Sequence, residues 1–185
     1  MNSKTLFSFV ALAGMAITVH AQNLVQNPGF ETGDFPPWVD SGDTSFSFVG
    51  TSMPHTGTYS GQFGPSSSDG FLDQSIPTTI GQTYTVDFWL ANDDSSATND
   101  FSASFSGVTI LSLTNAPQFA YTEYTMNIAA TSSSSDMHFA FYNPPSYWFI
   151  DDVSVTAAVP EPGTLGLVAL GALGLFGAIR KRFSA

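Results

Sequence analysis

Apolar and polar residues alternate along short runs in the middle of this sequence, and Gly, Pro, Ser and Asn separate the runs. In residues 83–90 one face would carry only apolar side chains: Tyr84, Val86, Phe88 and Leu90. Residues 124–128 and 136–142 alternate in the same way. Because successive side chains of a β-strand point to opposite faces, such runs are typical of half-buried strands. About ten segments of this kind, without an amphipathic helix, predict an all-β domain folded as a two-sheet sandwich.

The first 21 residues have the features of a secretory signal peptide. Lys4 supplies a positive start, residues 6–19 are mostly apolar, and the cleavage site would follow Ala21. A buried helix is the alternative for this stretch. The sequence therefore predicts an exported chain whose mature form begins at Gln22.

The C-terminal residues have the features of a membrane anchor. An apolar stretch at 164–179 follows a Pro-Glu-Pro triplet and precedes a basic tail at 180–182. As a helix it would be ~24 Å long, a little short of the ~30 Å hydrocarbon layer. Basic residues stay on the cytoplasmic side, so the preceding domain would lie on the far side of the membrane. The predicted organisation is thus a signal peptide at 1–21, a β-sandwich at 22–157 and an anchor segment at 158–185.

This C-terminal segment resembles the PEP-CTERM sorting domain of Gram-negative bacteria. The resemblance covers residues 159–185 and depends on Pro160, Glu161, Pro162, Arg180, Lys181 and Arg182. It implies recognition by an exosortase in the inner membrane and cleavage near the Pro-Glu-Pro triplet. It also implies delivery to the cell surface or to an exopolysaccharide matrix.

The charge distribution restricts the partners of the middle domain. The chain has a formal net charge of -11, no cysteine, and no Lys or Arg between residues 22 and 159, whereas every acidic residue except Glu161 lies in that region. A polyanion of this kind repels phosphate backbones, which argues against nucleic-acid binding. Disulfides and thiolate metal sites are excluded. Clustered carboxylates without basic partners favour a hard cation such as calcium.

Four short motifs, taken together, resemble the galactose-binding-like jelly roll of many carbohydrate-binding modules. They are Asn-Pro-Gly-Phe-Glu at 27–31, His-Thr-Gly-Thr-Tyr-Ser at 55–60, Gly-Gln-Thr-Tyr-Thr-Val-Asp-Phe-Trp at 81–89 and Phe-Ile-Asp-Asp-Val at 149–153. The resemblance covers residues 23–156. Phe119 stands where such modules often have a tryptophan. The fold implied is a jelly-roll β-sandwich.

The same resemblance implies a structural calcium. Its side-chain ligands would be Glu31 and Asp151, and main-chain carbonyls near Gly29 and Gly57 would complete the set. Asp152 is the second acidic residue of its motif. Strict alternation would place Phe149, Asp151, Val153 and Val155 on one side of the last strand, so that Asp151 would point inward and Asp152 outward. A solvated pair of surface acids is the alternative.

A carbohydrate site is a second hypothesis. Trp89 and Asp87 share the polar face of one strand, and His138 and Tyr142 share the corresponding face of another. Aromatic rings can stack on the C–H face of a sugar, and polar side chains can bind its hydroxyls. The alternative for Trp89 is packing beneath a loop. Trp148 follows two prolines and could anchor a loop, as could Trp38.

The sequence offers little support for catalysis. It contains no Gly-x-Ser-x-Gly, no His-Glu-x-x-His and no phosphate-binding glycine loop, and His55 and His138 are predicted to be a turn residue and a sheet-face residue. We therefore predict a non-enzymatic, exosortase-sorted surface or matrix protein with a structural or adhesive β-sandwich. The alternatives are a displayed polysaccharide-binding module and, with two of the many carboxylates as acid and nucleophile, a glycoside hydrolase.

Overall fold

The computed structural model describes residues 21–93 and 98–158. The predicted signal peptide, up to residue 20, and the predicted anchor, from residue 159, lie outside these residues. Within the two described ranges, no helix is long and apolar enough to cross a membrane.

The described residues form ten strands arranged in two antiparallel sheets of five. The strands are β1 (Val39–Gly42), β2 (Ser47–Gly50), β3 (Ser60–Phe63), β4 (Gly70–Pro77), β5 (Thr83–Asn92), β6 (Asp100–Phe105), β7 (Val108–Thr114), β8 (Phe119–Ala129), β9 (Ser134–Tyr142) and β10 (Trp148–Ala157). One sheet, called the front sheet here, has the order β1-β4-β9-β6-β7. The other, the back sheet, has the order β2-β3-β10-β5-β8. The prediction of an all-β, two-sheet sandwich is confirmed.

The core lies between the sheets and consists largely of aromatic rings. Phe63 of β3 stacks on Phe141 of β9, with ring centroids 4.0 Å apart. Phe88 of β5 meets Phe139 of β9 edge to face at 5.3 Å. All four rings are at most 1% exposed. Because each pair joins a back-sheet strand to a front-sheet strand, these contacts hold the two layers together.

Two tryptophans that could have anchored loops belong to this core. Trp148 is completely buried at the start of β10, and its indole N–H donates to the carbonyl of Tyr142 at 3.1 Å. Trp38 is 3% exposed and donates to the carbonyl of Asn27 at 3.1 Å. Burial removes both rings from any surface that a sugar could reach.

The last strand contains a β-bulge that strict alternation does not predict. Along its pairing with β5, Asp151 lies opposite Trp89 and Ser154 lies opposite Asp87, so β10 carries one extra residue between these positions. Asp152 in the bulge has a φ of 48°. The prediction that Asp151 shares the inward side of Val153 and Val155 is therefore wrong, because the bulge reverses the alternation. Asp151 lies on the outer side of the back sheet and is nevertheless completely buried.

Candidate functional site

The five residues of the predicted calcium site lie together beside the outer side of the back sheet. A Cβ atom added to Gly29 would lie 3.3 Å from an Asp151 carboxylate oxygen and 3.4 Å from an Asp152 carboxylate oxygen. A Cβ atom added to Gly57 would overlap the carboxylate of Glu31. We call Glu31, Asp151 and Asp152 the acidic cluster. The two glycines leave the space that its carboxylates occupy.

Asp151 is the buried member of the acidic cluster. Its Oδ2 accepts the main-chain N–H of His55 at 2.8 Å and that of Thr56 at 3.3 Å, and its Oδ1 accepts the N–H of Asp152 at 2.8 Å. Burial raises the pKa of Asp151 to about 6, although these hydrogen bonds oppose the shift. Asp151 thus fixes the segment at 55–56 over the bulge, and its charged form is only partly compensated.

Glu31 is the exposed member that binds the other end of the same loop. Its carboxylate accepts the N–H of Thr58 at 2.9 Å and the N–H of Tyr59 at 3.0 Å. Gly57 has a φ of 64°, a conformation that favours glycine and directs these consecutive N–H groups to one acceptor. The first motif and the His-Thr-Gly motif are therefore joined through this carboxylate.

The chemistry of this donor set fits calcium. Its side-chain donors are carboxylate oxygens, no Lys or Arg occurs between residues 22 and 159, and each carboxylate keeps at least one oxygen with lone-pair capacity beyond the hydrogen bonds it accepts. Within 21–93 and 98–158, however, no three His, Cys, Asp or Glu side chains are grouped so that they could hold a metal. Main-chain carbonyls or water would therefore have to complete the coordination shell.

Trp89 lies under the loop that the acidic cluster fixes. The His55 ring stacks on the indole at a centroid distance of 3.9 Å and an interplanar angle of 16°. His55 Nδ1 lies 2.7 Å from an Asp152 carboxylate oxygen, and the ring of Tyr121 lies 5.1 Å from that of His55. The arrangement matches the alternative in which Trp89 packs beneath a loop, since one face of the ring is covered.

The four residues of the predicted carbohydrate site lie on opposite sides of the molecule. Trp89 and Asp87 belong to β5 of the back sheet, whereas His138 and Tyr142 belong to β9 of the front sheet. All four are half-buried and point outward, away from the core. A single sugar-binding site formed by all four is therefore wrong. Only one pair can contribute to any one surface.

The outer face of the front sheet has a floor of small side chains. Ala140 of β9, Ser102 of β6 and Ser112 of β7 lie directly opposite one another and form one row across three strands. Opposite residues of antiparallel strands share a face, so these three side chains point the same way. A pocket of about 180 Å³ lies over this row, and Asp69, Asp100 and Thr114 also line it.

A row that carries one ring flanks this floor on each side. The row of His138 and Ser104 lies on one side, and the row of Tyr142, Asp100 and Thr114 lies on the other. We call the surface formed by these three rows the front trough. The floor of small side chains leaves room for a ligand ring between the rings of His138 and Tyr142.

One end of the front trough is bounded by β4. The ring of Phe71 stacks with that of His138 at a centroid distance of 5.6 Å, and Asp73 accepts a hydrogen bond from His138 Nδ1 at 2.6 Å when this nitrogen is protonated. Asp69 and Asp100 make no side-chain hydrogen bond within the described ranges. Phe71, Asp69 and Asp100 were not identified from the sequence. The alternation at 70–73 is enough to predict that Phe71 points outward. It does not predict the contact with His138, which depends on the pairing of β4 with β9.

Asp43 holds the loop that contains Asp69. Its carboxylate accepts the N–H groups of Ser45, Ser66 and Ser67 at 3.0, 3.1 and 2.8 Å. These hydrogen bonds, of which that from Ser67 has the largest influence, hold the pKa of Asp43 well below its usual range. The loop at 64–69 is thereby fixed at the edge of the front trough, and Asp69 keeps its place in the pocket.

Sequence comparison assigns the C-terminal end of the chain. Residues 158–182 match the PEP-CTERM protein-sorting motif, which confirms the resemblance found in the sequence. The motif implies export and exosortase-mediated processing at a membrane. No curated protein is similar enough to the chain to count as a match.

Structural comparison places the sandwich among known folds. TmCBM61, solved in complex with β-1,4-galactotriose, has a TM-score of 0.58 and 26% identity, and the alignment covers 75% of this chain and all of that one. The CBM22-1 xylan-binding domain of Paenibacillus barcinonensis Xyn10C has a TM-score of 0.55 and 13% identity, and the alignment covers 78% of this chain and 99% of that one.

A part of a phage protein shares the fold as well. The enzymatically active domain of tailspike protein 4 of bacteriophage CBA120 has a TM-score of 0.56 and 17% identity, with 74% of this chain and 21% of that chain covered. At such low identity the likeness extends to the fold alone. Together, the comparisons show that this chain carries a PEP-CTERM sorting motif after a jelly-roll β-sandwich similar to those of carbohydrate-binding modules.

Proposed function

We propose that this protein is a non-catalytic polysaccharide-binding module that exosortase-dependent sorting delivers to the cell surface or extracellular matrix. The observation that carries the proposal is the front trough, where a row of small side chains lies between rows that bear rings. The sorting motif and the 26% identity to TmCBM61 over that module's whole length support it. In the structural or adhesive role expected from the sequence, the binding partner would then be a glycan chain.

The front trough has the groups that sugar recognition requires. Tyr142 and Phe71 offer apolar ring surfaces to the C–H faces of pyranose rings. The hydroxyls of Ser102 and Ser112 can exchange hydrogen bonds with sugar hydroxyls along the floor. On the back sheet, in contrast, the His55 ring already covers one face of Trp89. The front trough is therefore the better candidate of the two outer faces.

Tyr142→Ala is expected to weaken glycan binding about ten- to a hundredfold, because an aromatic contact at a binding site contributes about 1–3 kcal/mol. A glycan array on the purified protein identifies the ligand, with β-1,4-galacto-oligosaccharides as the first probe. Titration calorimetry then measures the affinity. Trp89→Ala is the matched control, since it removes an aromatic side chain from the opposite sheet. An empty array, or an equal loss of affinity in both variants, would contradict the proposal.

We also propose that calcium binds at the acidic cluster. Glu31 and Asp151 would be its side-chain ligands, Asp152 the neighbouring acid, and carbonyls near Gly29 and Gly57 the main-chain ligands. The ion would supply the positive charge that the sequence between residues 22 and 159 lacks. The support is the buried carboxylate of Asp151 and the convergence of two carboxylates beside Gly29.

Calcium at about a hundred times its dissociation constant is expected to stabilise the fold by about 2.7 kcal/mol, which raises the unfolding midpoint by about 5–10 °C. Scanning calorimetry with calcium, with magnesium and with chelator measures the effect. Glu31→Gln should reduce the response, whereas Asp87→Asn, a half-buried acid elsewhere on the back sheet, should retain it. Coincident calcium and chelator curves would show that no structural calcium is bound.

A further inference from the structure

The carboxylates of the front trough lack a counter-charge. Asp69 and Asp100 line the same pocket, both are exposed, and neither makes a side-chain hydrogen bond within the described ranges. The nearby Asp73 is paired with His138. No Lys or Arg occurs between residues 22 and 159, so none from this region can neutralise the pair. The field in the pocket is therefore negative, and it favours positively charged ligand groups.

A bare metal ion would use only the carboxylates of this surface and none of its apolar groups. Within 21–93 and 98–158, no three His, Cys, Asp or Glu side chains are grouped to hold a metal. Asp100 lies directly opposite Tyr142 on one side and Thr114 on the other. A carboxylate, an aromatic ring and a hydroxyl thus stand in one row. That combination suits an amphipathic ligand with an apolar face and a cationic group.

We propose that the front trough selects polysaccharides whose sugars carry free amino groups and discriminates against those with carboxylate or sulfate groups. This inference rests on the proposed function and adds the substrate class. An aminosugar ring stacked on Tyr142 can place its ammonium within reach of Asp100, where a charge-assisted hydrogen bond forms. A uronate or sulfated sugar in the same place meets repulsion from Asp69 and Asp100.

The experiment compares three short oligosaccharides with the purified protein: a β-1,4-linked glucosamine oligomer, its N-acetylated counterpart and a galacturonate oligomer. In low salt the free-amine oligomer is expected to bind about tenfold more tightly than the N-acetylated one, since two exposed ion pairs each contribute up to about 1 kcal/mol. The galacturonate oligomer should bind most weakly. The preference should shrink between about 0.01 M and 1 M salt as screening increases.

Asp100→Asn and Asp69→Asn should each reduce the ratio of the free-amine to the N-acetylated affinity by a factor of about three. Asp87→Asn removes the same negative charge but lies on the back sheet, so it should leave the ratio unchanged. An equal reduction in all three variants would show a non-specific charge effect and overturn the inference. Calcium alone binding in a manner that Asp100→Asn abolishes would also overturn it.

The two proposals can fail separately. Binding of the neutral oligomer without any preference for the free amine would refute the amino-sugar inference and leave the proposed function standing. Absence of binding by every oligomer and by a full glycan array would refute both.

Discussion

Asp151→Ala is expected to lower the free energy of unfolding by about 2–3 kcal/mol, even in the presence of a chelator. The substitution removes the acceptor of three main-chain N–H groups, those of His55, Thr56 and Asp152. It also opens a cavity at a completely buried position. Urea unfolding, followed by circular dichroism, measures the loss. Chelator separates this hydrogen-bonding effect from any contribution of calcium.

Two variants test this explanation. Asp151→Asn keeps one acceptor oxygen and a similar volume and removes a buried charge, but its amide nitrogen would face one of the main-chain N–H groups, so we expect a smaller loss of about 1–2 kcal/mol in chelator. Asp87 lies on β5, which pairs with β10, and also points to the outer side of the back sheet. Asp87→Ala should change the stability by less than about 0.5 kcal/mol. If Asp151→Ala costs no more than Asp87→Ala, then the carboxylate does not hold the loop over the bulge.

Trp148→Ala is expected to have the largest effect on folding, a loss of about 3–5 kcal/mol. The ring is completely buried and packs against Phe101 at 5.4 Å and Phe119 at 6.1 Å. Its removal therefore takes a contact from both sheets and leaves a large cavity. Equilibrium unfolding in urea measures the loss, provided that the variant accumulates as a folded protein.

Trp148→Phe separates the two contributions of this side chain. Phenylalanine retains much of the packing but cannot donate to the Tyr142 carbonyl, so an intermediate loss of about 1–2 kcal/mol is expected. Trp148→Ala unfolding at the same urea concentration as the parent protein would mean that the ring lies outside the core.

The strands were predictable because their signal is local. The alternation at 83–90 and at 136–142 reflects which side chains are buried, and it predicts β5 and β9 wherever they lie in the sandwich. The bulge at Asp152 was not predictable in this way. Its acidic residues fit the alternation of a regular strand, and only the pairing of β10 with β5 reveals the extra residue. The burial of Asp151 likewise depends on a loop distant in sequence.

The surfaces were only partly predictable, for a related reason. Periodicity told us that Trp89 and His138 point away from the core, but it does not tell which sheet each strand joins. The order of strands assigns them to opposite faces. The floor of the front trough is harder still to find, because Ala140, Ser102 and Ser112 form a row only through the register of three strands. The acidic cluster could be predicted because the motifs resemble those of a known fold, and that fold brings residues distant in sequence together.

The two ends of strand β10 lie at opposite ends of the sandwich. Trp148, at its first residue, lies opposite Asn92, and Ala157, at its last, lies opposite Tyr84. These ends are roughly 30 Å apart along the strand. The sorting motif begins at residue 158, directly after Ala157, whereas Tyr142 contacts the indole of Trp148 at the far end. If the proposed sorting holds the domain at a membrane through this segment, the Tyr142 row of the front trough lies at the end of the sandwich opposite to the attachment point at Ala157, where a polymer can approach it.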